Sequence, residues 1–156
     1  MNWYKKAQIM KGVSGKEADD IEKQIRDDFL KLYPEEPTIP PLSQFIRRPE
    51  DRKCCKLVNI DVEKFDKLFQ NNTDQYIGKG GTDNFINGRY KGFQDFLRTK
   101  EPIQASTVGI SELYNQAQFT NGRHRYSVLR DMGMKIMPVA MYFESIPVAK
   151  KLGLIT

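Results

Sequence analysis

The sequence predicts an α+β fold, or the neighbouring α/β class, in which short helices cover a small mixed sheet. Two observations point there. Short apolar runs of strand character alternate with amphipathic helical segments between residues 53 and 143, and no internal repeat or low-complexity tract interrupts them. The balance of 39% apolar and 29% charged residues suits a soluble globular chain. A chain of 156 residues is long enough to bury about 70% of the surface its unfolded form exposes, so it needs no covalent staples.

The elements follow in order. "NWYKKAQIM" reads as a short helix using Trp3, Tyr4, Ala7 and Met10. "SGKEADDIEKQIRDDFLKLYP" places Ile21, Ile25, Phe29 and Leu32 at helical spacing, with acids early and Pro34 at the end. Five prolines in "PEEPTIPPLSQFIRRPEDRK" exclude a long helix and predict an extended connector. We therefore expect an N-terminal helical extension over residues 1–51 and a compact domain over 52–156. Within that domain "CCKLVNIDV" predicts a strand, and "VEKFDKLFQ" a helix with Phe65, Leu68 and Phe69 inward. "YIGKGGTDNFINGRY" is irregular and glycine-rich, and "GFQDFLRT" is a helix with Phe93, Phe96 and Leu97 inward. "QASTVGI" and "LYNQAQF" are strands, a helix runs from Arg123 to Met132, and "KIMPVAMYF" is the last strand.

Charge is uneven. Residues 1–51 are net −1 and residues 52–156 net +6, for a total of +5 and a pI near 9.1. A basic domain favours anionic partners such as nucleotides, nucleic acid or acidic protein faces, although solubility charge explains it equally well. Cys54 and Cys55 are adjacent, which places them poorly to bridge each other, and they give no zinc-type spacing. With one histidine in the chain, a structural zinc site is not expected. The first residues lack the apolar core of a signal peptide and no stretch resembles a membrane span, so the expectation is a cytoplasmic protein.

The densest chemistry lies in "QFTNGRHRYSVLRDMGMKIMPVAMY", Gln118 to Tyr142. Asn121-Gly122 supplies a strand-to-helix turn, and Gly133 suits the helix end. On a helical wheel Val128, Leu129 and Met132 form the apolar stripe, with Arg125 one turn earlier on that side. Arg123, Ser127 and Arg130 point away from it, and His124 lies at its margin. Three cations on a first helical turn oppose the macrodipole unless an anion offsets them, and a phosphate is the natural guest for free N–H groups and guanidinium groups together. The competing reading pairs Arg125 with a buried carboxylate, Asp61 or Asp95, and leaves the other cations solvated.

This stretch resembles the phosphate-binding box of the ParB/sulfiredoxin-like superfamily: a strand, a small residue and glycine, His/Arg-Arg, a helix, a glycine, and an "IPV"-like strand. The strand "KLVNIDV", the "NGR" of Asn87 to Arg89, the helix "GFQDFL" and "EPIQASTV" agree in order, so the resemblance covers Lys53 to Phe143. It implies that Asn121, Gly122, Arg123, His124 and Arg125 contact the phosphates of a nucleoside triphosphate or diphosphate with Mg²⁺. Tyr126 and Ser127 would complete the first turn, and Arg89 would be a secondary contact. For hydrolysis or phosphoryl transfer it implies Arg123, His124 and Arg125 as catalytic groups, with Asp61 or Glu63 as the acidic residue. Sulfiredoxins carry a catalytic cysteine where this chain has Arg123, so their chemistry is not expected. Partition proteins carry a helix-turn-helix module after the box, whereas 31 residues follow Arg125 here.

Other motifs are weaker. "GVSGKE" lacks phosphate-loop spacing. "IGKGGTDN" reads first as a surface loop, with Lys79 a helper at most. "NFINGRYKGF" interleaves Phe85, Arg89, Tyr90 and Lys91 in a way that suits base stacking and phosphate contact. The carboxylates Asp61, Glu63, Asp66, Asp83 and Asp95 are scattered, and spacing does not say which would hold a metal. The expected partner is a nucleotide. DNA binding or nicking by the same fold is the alternative, and a non-catalytic interaction protein is the third reading.

Overall fold

The structure is a computed structural model that describes residues 15–86 and 88–155. The helix expected over "NWYKKAQIM" lies outside them. The architecture is α+β, as expected: a mixed four-stranded sheet, a two-stranded sheet and five α-helices among the described residues. Helix α1 spans Gly15–Leu32, β1 Phe45–Ile46, β2 Cys55–Asp61, α2 Val62–Phe69 and α3 Arg89–Arg98. Then follow β3 (Ile103–Gln104), β4 (Ser106–Ser111), β5 (Gln116–Asn121), α4 (Arg123–Asp131), β6 (Ile136–Tyr142) and α5 (Ile146–Lys151).

The main sheet runs β2-β6-β4-β5. Its outer pairs are antiparallel, while β6 and β4 are parallel. Every residue from Met137 to Met141 is buried, so β6 is covered on both faces. That explains why "IMPVAM" is apolar without alternation. Strand β5 does alternate, with Ala117 and Phe119 buried and Gln118 and Thr120 exposed. Among the described residues its outer edge meets no further strand. Instead the Gln75 amide accepts from the Phe119 N–H at 2.7 Å and donates to the Phe119 carbonyl at 2.9 Å, and Asn72 donates to the Ala117 carbonyl at 3.1 Å.

Aromatic rings hold the helices to β5. Phe65 and Phe69 of α2 meet Phe119 of β5 and Tyr126 of α4 with centroids 4.7–5.7 Å apart. Burying each such side chain contributes roughly 1.5–3 kcal/mol. Behind this cluster Asp66 accepts from the Tyr76 and Tyr126 hydroxyls and from the Arg130 guanidinium, each at 3.0 Å. Arg130 also donates to Asp131 at 2.9 Å and lies over the rings of Tyr76 and Tyr126. Asp131 in turn accepts from the Tyr90 hydroxyl and the Gly80 N–H at 2.6 and 2.9 Å.

Several expectations are corrected by this packing. Ser127 is fully buried and the Arg130 side chain is one-tenth exposed, so neither faces solvent. The single apolar stripe does not describe a helix embedded between a sheet and two other helices. Ser127 satisfies its hydroxyl by donating to the Arg123 carbonyl one turn back. Along α1 only Phe29 is buried. Leu32 is exposed, and the helix is tied to α3 by Arg26–Asp95 at 2.7 Å. Residues around 51 pack with the sheet: β1 pairs with β3, Phe45 joins the core, and Asp51 accepts from the Thr107 hydroxyl at 2.6 Å. The two thiols come together, with sulfurs 2.7 Å apart, because Cys54 lies in the turn before β2 and not in the strand. Among the described residues no helix is long and apolar enough to cross a membrane.

Asp66→Ala leaves two hydroxyls and a guanidinium without their acceptor, and we expect it to cost about 3 kcal/mol or more. Urea unfolding measures this, with Glu63→Ala on the exposed side of α2 as a control expected within about 0.5 kcal/mol of wild type.

Candidate functional site

Two helices begin in the same way. Gly88 precedes α3 with φ 87°, and Gly122 precedes α4 with φ 84°. Each is followed by an arginine, Arg89 or Arg123. Neither helix has a side chain capping its N-terminus; at α3 the Arg89 N–H donates to the Ile86 carbonyl at 3.1 Å, and the two helix ends are otherwise without a cap. The left-handed backbone is open to glycine at little cost. At Gly122 a side chain is excluded as well, since a Cβ there would stand 2.5 Å from Ser106 Oγ. That Ser106 hydroxyl donates to the Gly122 carbonyl at 2.8 Å and fixes the turn against β4.

The two N-termini meet. His124 Nε2 accepts from the Ile86 N–H at 2.9 Å, which draws the residues before α3 onto the first turn of α4. The charge of Arg89 is felt by both Arg123 and His124. Arg123 donates to the Gln75 carbonyl at 2.8 Å, and burial together with Arg89 lowers its pKa. Among the described residues no carboxylate lies within 4 Å of the guanidinium of Arg89, Arg123 or Arg125. The result is a positive pole made of two helix ends and unneutralised guanidinium groups.

Arg125 lies on the other side of α4. It donates to the Gln104 carbonyl at 3.0 Å and to Asn121 Oδ1 at 2.6 Å, and burial, with Arg48 adding, brings its pKa down to about 10. It is still a cation at neutral pH, and two of its nitrogens tie the β3–β4 junction and the end of β5 to α4. The expected pairing of Arg125 with Asp61 or Asp95 does not occur. Asp95 holds Arg26, and Asp61 caps α2 by accepting from the Lys64 N–H. The carboxylate near Arg125 is Asp51. Burial raises its pKa, but hydrogen bonds from Arg48 and Thr107 more than offset that and lower it overall.

The other expected residues separate. Asp61 and Glu63 are not brought to the turn. Asn121 is level with Thr107, Ala140 and Leu57 across the sheet, and Asp61 lies four residues beyond Leu57 on the opposite outer strand. Three strand spacings and four residues of rise put it roughly 20 Å away. Glu63 instead lines a cleft of about 280 Å³ with Asp66, Arg130 and Lys135. Tyr126 is withdrawn from the phosphate-contacting set, because it is fully buried with its hydroxyl on Asp66. Ser127 is buried with its hydroxyl turned to Arg123. Asn121 gives its side-chain oxygen to Arg125.

His124 also changes part. It is buried, and burial followed by the charges of Arg123, Arg89 and Arg125 pushes its pKa down to about 4. It is a neutral ring whose Nε2 lone pair holds a loop, not a base with a free lone pair. The fit to Mg²⁺ is poor: Asp61 is across the sheet, Glu63 is in the cleft beside Arg130, and Asp51 is engaged by Arg48 and Thr107. No step is therefore assigned to a metal.

Because the folded chain keeps His124 unprotonated where the unfolded chain takes a proton, its stabilising contribution is complete above pH about 6.5 and lost as pH falls towards 4. We expect up to about 3 kcal/mol of this loss, read by urea unfolding between pH 7 and about 4, to be absent in His124→Gln relative to wild type. Scans of the chain against models of known protein families, curated proteins and solved structures found no match.

Proposed function

We propose that the chain binds the phosphate groups of a nucleoside di- or triphosphate at the meeting of the α3 and α4 N-termini. The observation that carries this is the convergence of two uncapped helix ends with Arg89 and Arg123, neither paired to an acid among the described residues. Free N–H groups, helix dipoles and guanidinium forks all favour a multiply charged oxyanion in one place. The order of β5, Gly122 turn, α4 and β6 supports reading the domain as ParB/sulfiredoxin-like.

The arrangement favours binding over turnover. Arg123 and Arg89 can neutralise charge on a phosphoryl group, but of the two carboxylates expected to orient a nucleophile Asp61 lies on the far strand of the sheet and Glu63 in the cleft beside Arg130, at the other end of α4. Arg125 contributes by holding the turn and by adding to the field. Nucleic-acid binding is a second reading, favoured by Phe85 and Ile86. Both are exposed beside Arg89 and Lys91, where an aromatic face and cations would meet a single strand.

Calorimetry and thermal shift with ATP, ADP, CTP and GTP test the first reading. Removing each phosphate-contacting arginine, Arg89→Ala and Arg123→Ala, is expected to weaken nucleotide binding by about 10- to 100-fold, since a charge-assisted hydrogen bond contributes roughly 1.5–3 kcal/mol. Unchanged affinity in both variants would overturn it. Binding that instead requires a polynucleotide and falls steeply with salt would transfer the site to the second reading.

A further inference from the structure

Cys54 and Cys55, the two cysteines of the chain, take no part in the pole described above. Cys54 is partly buried and Cys55 fully buried, and both are free thiols. In a strand adjacent side chains face opposite ways, but Cys54 precedes β2, and the turn at residues 52–54 swings its sulfur towards that of Cys55. The two Sγ atoms stand 2.7 Å apart, and Cys54 Sγ also faces the Asp51 carbonyl at 3.6 Å.

Asp51, Cys54 and Cys55 group closely enough to suggest a metal site. The Asp51 carboxylate, however, accepts from Arg48 at 3.1 and 3.2 Å and from Thr107 at 2.6 Å. His124 is held by Ile86, so the four ligands of a zinc site are not assembled. What remains is two sulfurs, one reachable from solvent, held within reach of each other.

We propose that Cys54 and Cys55 form a vicinal dithiol that a peroxide converts to a cyclic disulfide within the chain. Cys54, as thiolate, attacks one oxygen of hydrogen peroxide. The O–O bond breaks, sulfur becomes a sulfenic acid, and the other oxygen leaves as water after taking up a proton. The Cys55 sulfur then attacks Cys54 Sγ and gives up its proton, and the sulfenic oxygen leaves as a second water. Two thiols and one peroxide give one disulfide and two waters; the sulfur pair loses two electrons and the peroxide gains them. The order follows from the environment. Burial, then the hydrogen bond with Cys54, pushes the Cys55 thiol up to about 12, so the more open Cys54 reacts first and Cys55 resolves it. Held at contact, Cys55 intercepts the sulfenic acid before a second peroxide does.

The site lies beside Asp51, whose charge reaches Arg125. Disulfide formation removes the Cys54 S–H that faces the Asp51 carbonyl, at the residue whose carboxylate anchors Arg48 and Thr107 beside Arg125.

The test treats the full, folded chain with hydrogen peroxide and follows intact mass. Since the chain has two cysteines, a loss of two hydrogens in a monomer on a non-reducing gel, reversed by dithiothreitol, assigns the bond without mapping. Closure in the folded chain is expected to be about tenfold or more faster than in the chain unfolded by urea. Cys55→Ser is expected to gain oxygen at Cys54 instead, and Cys54→Ser to react slowly. Oxygen addition to the wild type in place of hydrogen loss, dominance of disulfide-linked dimers, or closure no faster than in urea would each overturn the proposal.

Discussion

The carboxylate of Asp66 is the constraint on which the rest of the structure depends. It gathers donors from the segment after α2 and from two successive turns of α4, and Arg130 passes the connection to Asp131. Asp131 then holds Tyr90 of α3 and the glycine-rich loop through Gly80. One line of charge-assisted bonds thus sets α2, α3, α4 and a loop against one another. Arg130 is stabilised as a cation: burial lowers its pKa, but Asp131 and Asp66 raise it by more. One guanidinium nitrogen, Nη2, is buried without an acceptor, and the flanking Tyr76 and Tyr126 rings are the compensation the structure provides.

The network matters for the positive pole because it holds α4 from its C-terminal end and α3 through Tyr90, beside Arg89. Placing Arg89 and Arg123 at N-terminal positions disfavours each helix by a few tenths of a kcal/mol, and their mutual repulsion adds to that. Nothing at the N-termini offsets it, since both caps are glycine. The offset comes from the ring cluster and from the Asp66–Arg130–Asp131 chain near the C-terminus of α4. Stability is built at one end of α4, and exposed positive charge is carried at the other.

The sequence made the strand order along the chain legible, along with the Gly122 turn and the bounds of α4, because each rests on a local signal: apolar runs, an Asn-Gly pair, a terminal glycine. The pole was half legible. Arg123 and Arg125 stood out by density, but the second "NGR", ending in Arg89, was read as a minor contact. That two copies of one tripeptide start two helices which then meet is a tertiary fact. The burial of Ser127 and Arg130 was hidden for the same reason, since a wheel shows one stripe while α4 is enclosed on several sides. Asp61 and Glu63 are kept from the turn because nearness in a family pattern gives no measure of the distance across a sheet, for Asp61, or along α4, for Glu63. Strands β1 and β3 are too short for any periodicity, and α5 is six residues long with Pro147 in its first turn, too short to show a stripe.

The side of β5 that faces away from the sheet carries a consequence of its own. Gln75 answers both backbone groups of Phe119, as the next strand would, and Asn72 answers Ala117. Two amide side chains thereby stand in for a missing neighbour. A foreign segment cannot zip onto this stretch of the border without first evicting them, so among the described residues the sheet stops at four strands with this part of its margin blunted.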